Sequence, residues 1–177
     1  QDLLLGSEKG NCALAMLPEA EEPGFLLEAV YVLECVAPKA MEIDRFLPPR
    51  PVRIVVDQNL QDCTERHSFK SWGRRLREPD PHRWPDQPLS AEQLNAMIDT
   101  TGELAERNSQ DIRANSRRIM EQQLGHERDR LRGLAHKNPN IKPQQVDELQ
   151  ERMQALAGAI DSARLRLDAL RLVYCYS

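Results

Sequence analysis

The spacing of apolar residues changes period along this chain, which divides it into a strand-rich part and a helical part. Asn11 to Leu17 alternates weakly between Gly10 and Pro18 and predicts a strand. Gly24 to Ala37 predicts a longer one. Phe25, Leu27, Ala29, Tyr31, Leu33, Cys35 and Ala37 form a wholly apolar face, while Glu28 and Glu34 interrupt Leu26, Val30, Val32 and Val36 on the other. One apolar face beside a mixed one suits a sheet packed on helices. Pro23-Gly24 and Pro38 bound this segment. A third strand is predicted in the run Arg45 to Asp57. Pro48, Pro49 and Pro51 fix φ and remove amide donors at its entry, and Val52, Ile54 and Val56 then alternate with Arg53, Val55 and Asp57.

Beyond Leu60 the alternation fades. Ser68 to Trp72 predicts a further short strand, and Arg77 to Pro88 carries four prolines and predicts an irregular connector. A helix start follows. Ser90 at the N-cap and Gln93 at the third helical position form a capping box, with Leu89 and Leu94 placed to staple it. No proline occurs from there to His136, which predicts a helix over about 90–136. Ile98, Ala105, Ile112 and Ile119 recur every seven residues, then Leu124, Leu131 and Leu134 continue a shifted stripe. Gly102 and Asn108-Ser109 are the expected places for a bend.

After Lys137-Asn138-Pro139-Asn140, a second helix is predicted over 143–170, with Pro143 in its first turn. Val146, Leu149, Met153, Leu156, Ile160, Ala163, Leu167 and Leu170 alternate spacings of three and four, the pattern of a coiled-coil seam. A short turn between two long helices makes them antiparallel. The ending Leu172-Val173-Tyr174-Cys175-Tyr176 reads as a last strand. The expected fold is therefore α+β: a mainly antiparallel β-sheet, a long antiparallel helical hairpin, and a final strand rejoining the sheet. The expected organisation is a β-rich segment over 1–43, read as the end of a preceding spacer domain, and a C-terminal α+β domain over 44–177.

Composition narrows the classes. Charged residues make up 29% of the 177 and aromatic residues 5%, a mix that suits solvated helices better than an all-β sandwich. The formal net charge of -4 argues against coating nucleic acid by bulk charge, though not against a local basic patch. Leu3-Leu4-Leu5 is too short for a signal-peptide core or a membrane span, and the start at Gln1-Asp2 without Met suggests an excised fragment. Cys12, Cys35, Cys63 and Cys175 are scattered without Cys-x-x-Cys spacing. That favours reduced buried thiols in a cytoplasmic protein, with two disulfides in a secreted protein as the alternative.

Candidate chemistry is sparse. No glycine pattern forms a phosphate loop. Cys63, His67 and His82 are the best metal cluster, but zinc wants a fourth ligand and closer pairs. Ser71 or Cys63 could be drawn with His67 and Asp57 as a triad, yet nothing in the sequence brings them together. Glu28 and Glu34 share a strand face about 20 Å apart at ~3.3 Å per residue, too far for paired acid–base work, and read as solvent-facing. No catalytic, cofactor or metal residue is assigned. The strongest remaining feature is a basic patch. Arg66, Lys70, Arg74, Arg75, Arg77, His82 and Arg83 surround Trp72 and Trp84, and cations interleaved with indoles can hold phosphates and stack on bases. Trp72, Arg74, Arg75 and Arg77 are the candidate contacts to a partner or to nucleic acid, diluted by Glu65, Glu78 and Asp80.

Five stretches, in order, carry a resemblance: Ala37-Pro38-Lys39, Arg45-Phe46-Leu47-Pro48-Pro49, Pro51-Val52-Arg53, Asn138-Pro139-Asn140-Ile141 and Arg166-Leu167-Asp168-Ala169-Leu170-Arg171-Leu172. Together they resemble the C-terminal part of the RapA family, the bacterial RNA polymerase-associated, ATP-dependent recycling factors. Asp62 to Gln87 departs from that pattern in being rich in proline and tryptophan. The resemblance implies a longer protein with a SWI/SNF-like motor of the helicase superfamily. Such a protein binds core RNA polymerase, hydrolyses ATP with Mg, and helps release polymerase stalled after transcription. Its Walker and DExx motifs lie upstream of the region resembled, so no catalytic residue carries over. The partners implied are core RNA polymerase and the upstream motor domains of the same chain, with DNA or RNA as an alternative and no membrane.

Overall fold

A computed structural model describes residues 11–86, 89–138, 140 and 142–177. The Leu3–Leu5 run, the end of the connector at Gln87 and Pro88, Pro139 of the predicted turn, and Ile141 lie outside the described residues. The elements run β1 (Asn11–Leu17), β2 (Gly24–Glu34), β3 (Arg50–Asp57), α1 (Phe69–Arg75), α2 (Ala91–Ala135), α3 (Pro143–Asp161) and β4 (Arg164–Cys175). Two short 3-10 turns, Lys39–Met41 and Ile43–Arg45, precede β3. The four strands form one sheet in the order β1-β4-β2-β3. The fold is α+β, and the last strand does rejoin the sheet.

The sheet is mixed, not purely antiparallel. β4 runs parallel to β1, with Asn11 opposite Ala169 and Leu17 opposite Cys175. This parallel pairing is possible because the whole helical excursion separates the two strands in sequence, and parallel neighbours need a long crossover. β4 is thus an inner strand, bonded on both edges. That position explains why the second helix is shorter than its apolar spacing suggests. Spacings of three and four continue through Leu167 and Leu170, but α3 ends at Asp161, where the Ser162 amide donates to the Gly158 carbonyl. From Arg164 onward Arg-Leu-Arg-Leu-Asp is also a period-two sequence. Two strand edges waiting for a partner decide between the readings, as tertiary context does for ambiguous segments.

The predicted strand at Ser68–Trp72 is also replaced. These residues begin α1, and Ser68 is its N-cap, with Oγ accepting from the Ser71 amide at 3.3 Å. A serine three residues ahead of a helical amide offers this bond, and Trp72 is the buried residue of α1. Pro51 is the second residue of β3, and Pro48 and Pro49 form an entry outside the strand. Phe46 and Leu47 there are buried beside Ile43.

The described residues divide into two compact units: one comprises those of 11–32, 51–107 and 166–177, and the other those of 33–50 and 108–165. In the first, β-strand residues pack with Trp72: Ala15, Leu17, Leu26, Val55, Cys63, Val173 and Cys175 form one buried cluster around it. In the second, α3 lies antiparallel to the later part of α2. Arg117 bonds Asp161 while Arg128 bonds Gln150, so rising numbers on one helix meet falling numbers on the other. Leu149, Met153, Leu156 and Ile160 are buried along α3.

α2 begins at the predicted capping box: Gln93 N donates to Ser90 Oγ at 3.1 Å and Ser90 N to Gln93 Oε1 at 3.0 Å. It runs without interruption through Gly102 and Asn108. Its buried line is displaced from the predicted one. Met97, Thr101, Ala105, Ser109, Ser116, Met120 and Leu124 are buried, whereas Ile98, Ile112 and Ile119 are only half-buried beside it. Small hydroxylated residues can lie on a buried line when they find acceptors. Thr101 Oγ1 donates to the Ile98 carbonyl at 2.7 Å and lies 2.9 Å from the Tyr31 hydroxyl. Among the described residues, no helix is long and apolar enough to cross a membrane.

Candidate functional site: α1 and the sheet beside it

The turn after β3 is built by short polar side chains. Asp57 Oδ1 accepts from the amides of Asn59 and Gln61 at 2.9 and 2.8 Å. Thr64 Oγ1 accepts from Val55 N at 3.0 Å, and Cys63 N donates to the Val55 carbonyl at 2.7 Å. These bonds lay residues 61–64 back along β3 and deliver the chain to Ser68. After α1, Met16 and Arg77 exchange backbone bonds of 2.9 and 2.8 Å, which tie the exit of the helix to β1.

Glu28 lies under this layer. Its side chain is 6% exposed, although a mixed strand face led to the expectation of a solvent-facing carboxylate. Arg53 Nε donates to its Oε1 at 2.5 Å, and Arg171 Nη1 reaches its Oε2 at 3.2 Å. The carboxylate is buried because β2 is an inner strand, and a buried carboxylate persists when cations pair with it. Arg53 also donates to the His67 carbonyl at 2.6 Å, and its guanidinium carbon lies 5.1 Å from the centroid of the Trp72 ring. Arg53 stood in the predicted third strand, but Arg171 fell just ahead of the predicted last strand, which began at Leu172. That they converge on Glu28 depends on the strand order, which the sequence does not print.

The predicted contacts separate. Trp72 is 1% exposed, with His67 tilted against its indole at 5.3 Å, so its ring presents no face on which a base could stack. Arg74, Arg75 and Arg77 are exposed. Arg75 donates to the Glu19 carbonyl at 3.2 Å, and Arg77 folds back onto the Arg74 and Leu76 carbonyls. Trp84 is half-buried against Phe25 and Tyr174, and Arg83 lies over Tyr176. The large exposed aromatic of α1 is instead Phe69, 73% exposed, a residue to which the sequence patterns drew no attention. Its signal was position: a first-turn residue whose neighbour Trp72 takes the inward place.

A cavity of about 470 Å³ opens beside the turn, with Arg66, His67, Arg75, Asp57, Cys63 and Cys175 among its walls. Burial, and then the nearby Arg53, Arg66 and Arg75, lower the pKa of His67, which keeps the imidazole neutral at pH 7. Burial, and then Asp57, raise that of Cys63, and burial pushes Cys175 up to about 11. Both thiols are therefore protonated near neutrality and are poor nucleophiles. The residues of the conceivable triad are engaged elsewhere: Ser71 Oγ donates to the Ser68 carbonyl, and Asp57 holds the turn. Among the described residues, no group of three or more His, Cys, Asp or Glu could hold a metal ion. His82 is exposed, its amide donating to Asp80. All four cysteines are free thiols.

These features describe an α+β module in which charge around α1 either locks the sheet or faces outward. Comparison with known proteins gives that module a family. The family model described as RNA polymerase recycling family C-terminal matches residues 1–175. Among curated relatives, the RNA polymerase-associated protein RapA of Erwinia tasmaniensis is 31% identical over 181 residues. Its namesakes in Vibrio campbellii and Vibrio cholerae are 31% and 34% identical, each over 175 residues. Each alignment covers 97% of this chain and 18% of the relative. The chain belongs to the RNA polymerase recycling family and corresponds to its C-terminal part.

Proposed function

We propose that this chain is the accessory C-terminal module of an RNA polymerase-associated ATPase that recycles polymerase in transcription. On this reading it acts by interaction or regulation and performs no catalysis itself. ATP and Mg belong to upstream motor domains of the longer bacterial, cytoplasmic protein, and core RNA polymerase is the partner. The observation that carries the reading is the family match along 1–175, joined to relatives named as RNA polymerase-associated. The test is an affinity pull-down of bacterial core polymerase with the immobilised 177-residue chain, run beside an ATP-hydrolysis assay of the same chain. Retention of polymerase without ATP turnover is expected. ATP hydrolysis by this chain alone would refute it.

A second reading, a nucleic-acid-binding arm in the segment 66–84, is supported by the exposure of Arg74, Arg75 and Arg77. It predicts salt-sensitive binding that is lost in an Arg74→Ala, Arg75→Ala, Arg77→Ala triple variant. No mobility shift at low salt would rule it out.

A further inference from the structure

One face of the sheet is only half covered. α1 packs over one end of it, where Ala15 and Leu17 of β1 and Val173 and Cys175 of β4 gather around Trp72. The two-residue alternation carries the same face on to Ala13 and Asn11 of β1, opposite Arg171 and Ala169 of β4. At this end Asn11–Leu14 are exposed, whereas Ala15–Leu17 are buried. Phe69, three positions ahead of Trp72 and on the same side of α1, is 73% exposed. With Ala13, Val30, Ala169 and Leu170 it lines an open groove of about 230 Å³. Glu28 and Arg171 at the groove pair with each other, and Arg53 also holds Glu28, so the charge there is compensated. An apolar side chain can therefore enter without stranding an ion.

We infer that this groove seats an apolar side chain from the polypeptide that precedes position 1 in the longer protein, held between Phe69 and the open end of β1. The inference rests on the proposed function and deepens it, by naming how the module is held to its upstream domains. Two observations choose this occupant. The first is place. The chain aligns with 18% of each relative and matches the C-terminal family model, so most of each relative lies ahead of the matched part. Asn11, which borders the groove, stands ten residues after position 1, a reach of at most about 36 Å. The second is size. A free partner needs about 800 Å² on each side for a stable interface, far beyond one small groove. A tethered domain does not, because a short linker holds it at an effective concentration of about 1 mM.

The test is hydrogen–deuterium exchange, read by mass spectrometry on the 177-residue chain and on the longer polypeptide of its uninterrupted reading frame. With a Kd of about 0.1 mM for the groove against about 1 mM effective concentration, amides of 11–14 and 69–72 should exchange about 10-fold more slowly in the longer polypeptide. Phe69→Ala and Ala13→Glu in the longer polypeptide should each return them to within about 2-fold of the chain's rates, while Phe69→Leu keeps the protection. Both positions are exposed, so the variants keep the fold, and unchanged exchange along α3 checks this. Equal exchange in the chain and the longer polypeptide, or protection that survives both Phe69→Ala and Ala13→Glu, would overturn the seat. Slowing in the chain alone, as it is concentrated from about 1 to about 100 μM, would assign the groove to a second copy and overturn the inference. Slowing only on addition of core polymerase would assign it to polymerase, with the same consequence. Retention of polymerase by the 177-residue chain is read separately, so a chain that binds polymerase but gains no protection at the groove fails this inference alone.

Discussion

Replacing Glu28 by alanine should destabilise the β-rich unit by about 3 kcal/mol. The argument starts from what is left behind. Glu28 is nearly fully buried, and its partner Arg53 has a side chain only 16% exposed. Removing one member of a buried pair typically costs about 3–5 kcal/mol, because the other charge stays desolvated. Two features place this case at the lower end. Arg53 keeps the His67 carbonyl and the Trp72 face. Arg171 is 39% exposed and can turn to water, so its contact with Glu28 adds little. Glu28→Gln retains an acceptor oxygen and should cost about half as much, near the value of a hydrogen bond to a charged group, ~1.5 kcal/mol. Urea unfolding followed by tryptophan fluorescence is the assay, since Trp72 and Trp84 both belong to this unit and Trp72 lies against Arg53. For a chain of this size, 3 kcal/mol also lowers Tm by about 6–12 °C. The Glu28→Met, Arg53→Met double variant should be more stable than the sum of the two single losses, because neither charge is then stranded. A Glu28→Ala variant within about 0.5 kcal/mol of the parent, or strictly additive double variants, would refute the reasoning.

Other consequences follow from particular contacts. Leu156→Ala in α3 removes a side chain with no exposed surface and should cost about 2–5 kcal/mol, read from the loss of helical circular dichroism in denaturant. Tyr31→Phe leaves Thr101 Oγ1 without its hydroxyl partner at 2.9 Å and should cost about 1 kcal/mol by the same measurement. Ser90→Ala removes the cap of α2 and should cost about 1 kcal/mol, with Ser90→Asp close to the parent. Cys175 binds its proton more tightly when folded, with a pKa of about 11 against an ordinary 9.0. Stability should therefore be flat up to about pH 8.5 and fall as pH rises from about 9 toward 11, with Cys175→Ala removing part of that slope. At pH 8 a thiol reagent should modify exposed Cys12 before Cys63 or Cys175.

Strand content was legible where alternation was unopposed. β1 has its predicted bounds, and Phe25, Leu27, Ala29, Tyr31 and Leu33 form the buried face expected of β2. The start of α2 was legible because a capping box is local chemistry. That the last strand rejoins the sheet was also legible, but its place between β1 and β2, and the contacts that follow from that place, were not. Leu165 to Leu172 fits both periods, and only the place of β4 between β1 and β2 makes it a strand. Parallel pairing of β1 with β4 leaves no local mark in either segment. Glu28 looked like a surface residue because its two arginine partners are 25 and 143 positions away in sequence. Around α1 the residue types were noticed correctly as aromatic and basic, but their orientation was not. A short helix in place of a strand buries Trp72 and exposes Phe69.

The account rests most heavily on association with polymerase, and a direct binding titration tests it best. Purified bacterial core RNA polymerase is passed over the immobilised 177-residue chain across a range of concentrations. The account predicts a saturable signal that free chain in solution competes away. A response that never saturates, or none up to micromolar polymerase, would contradict it.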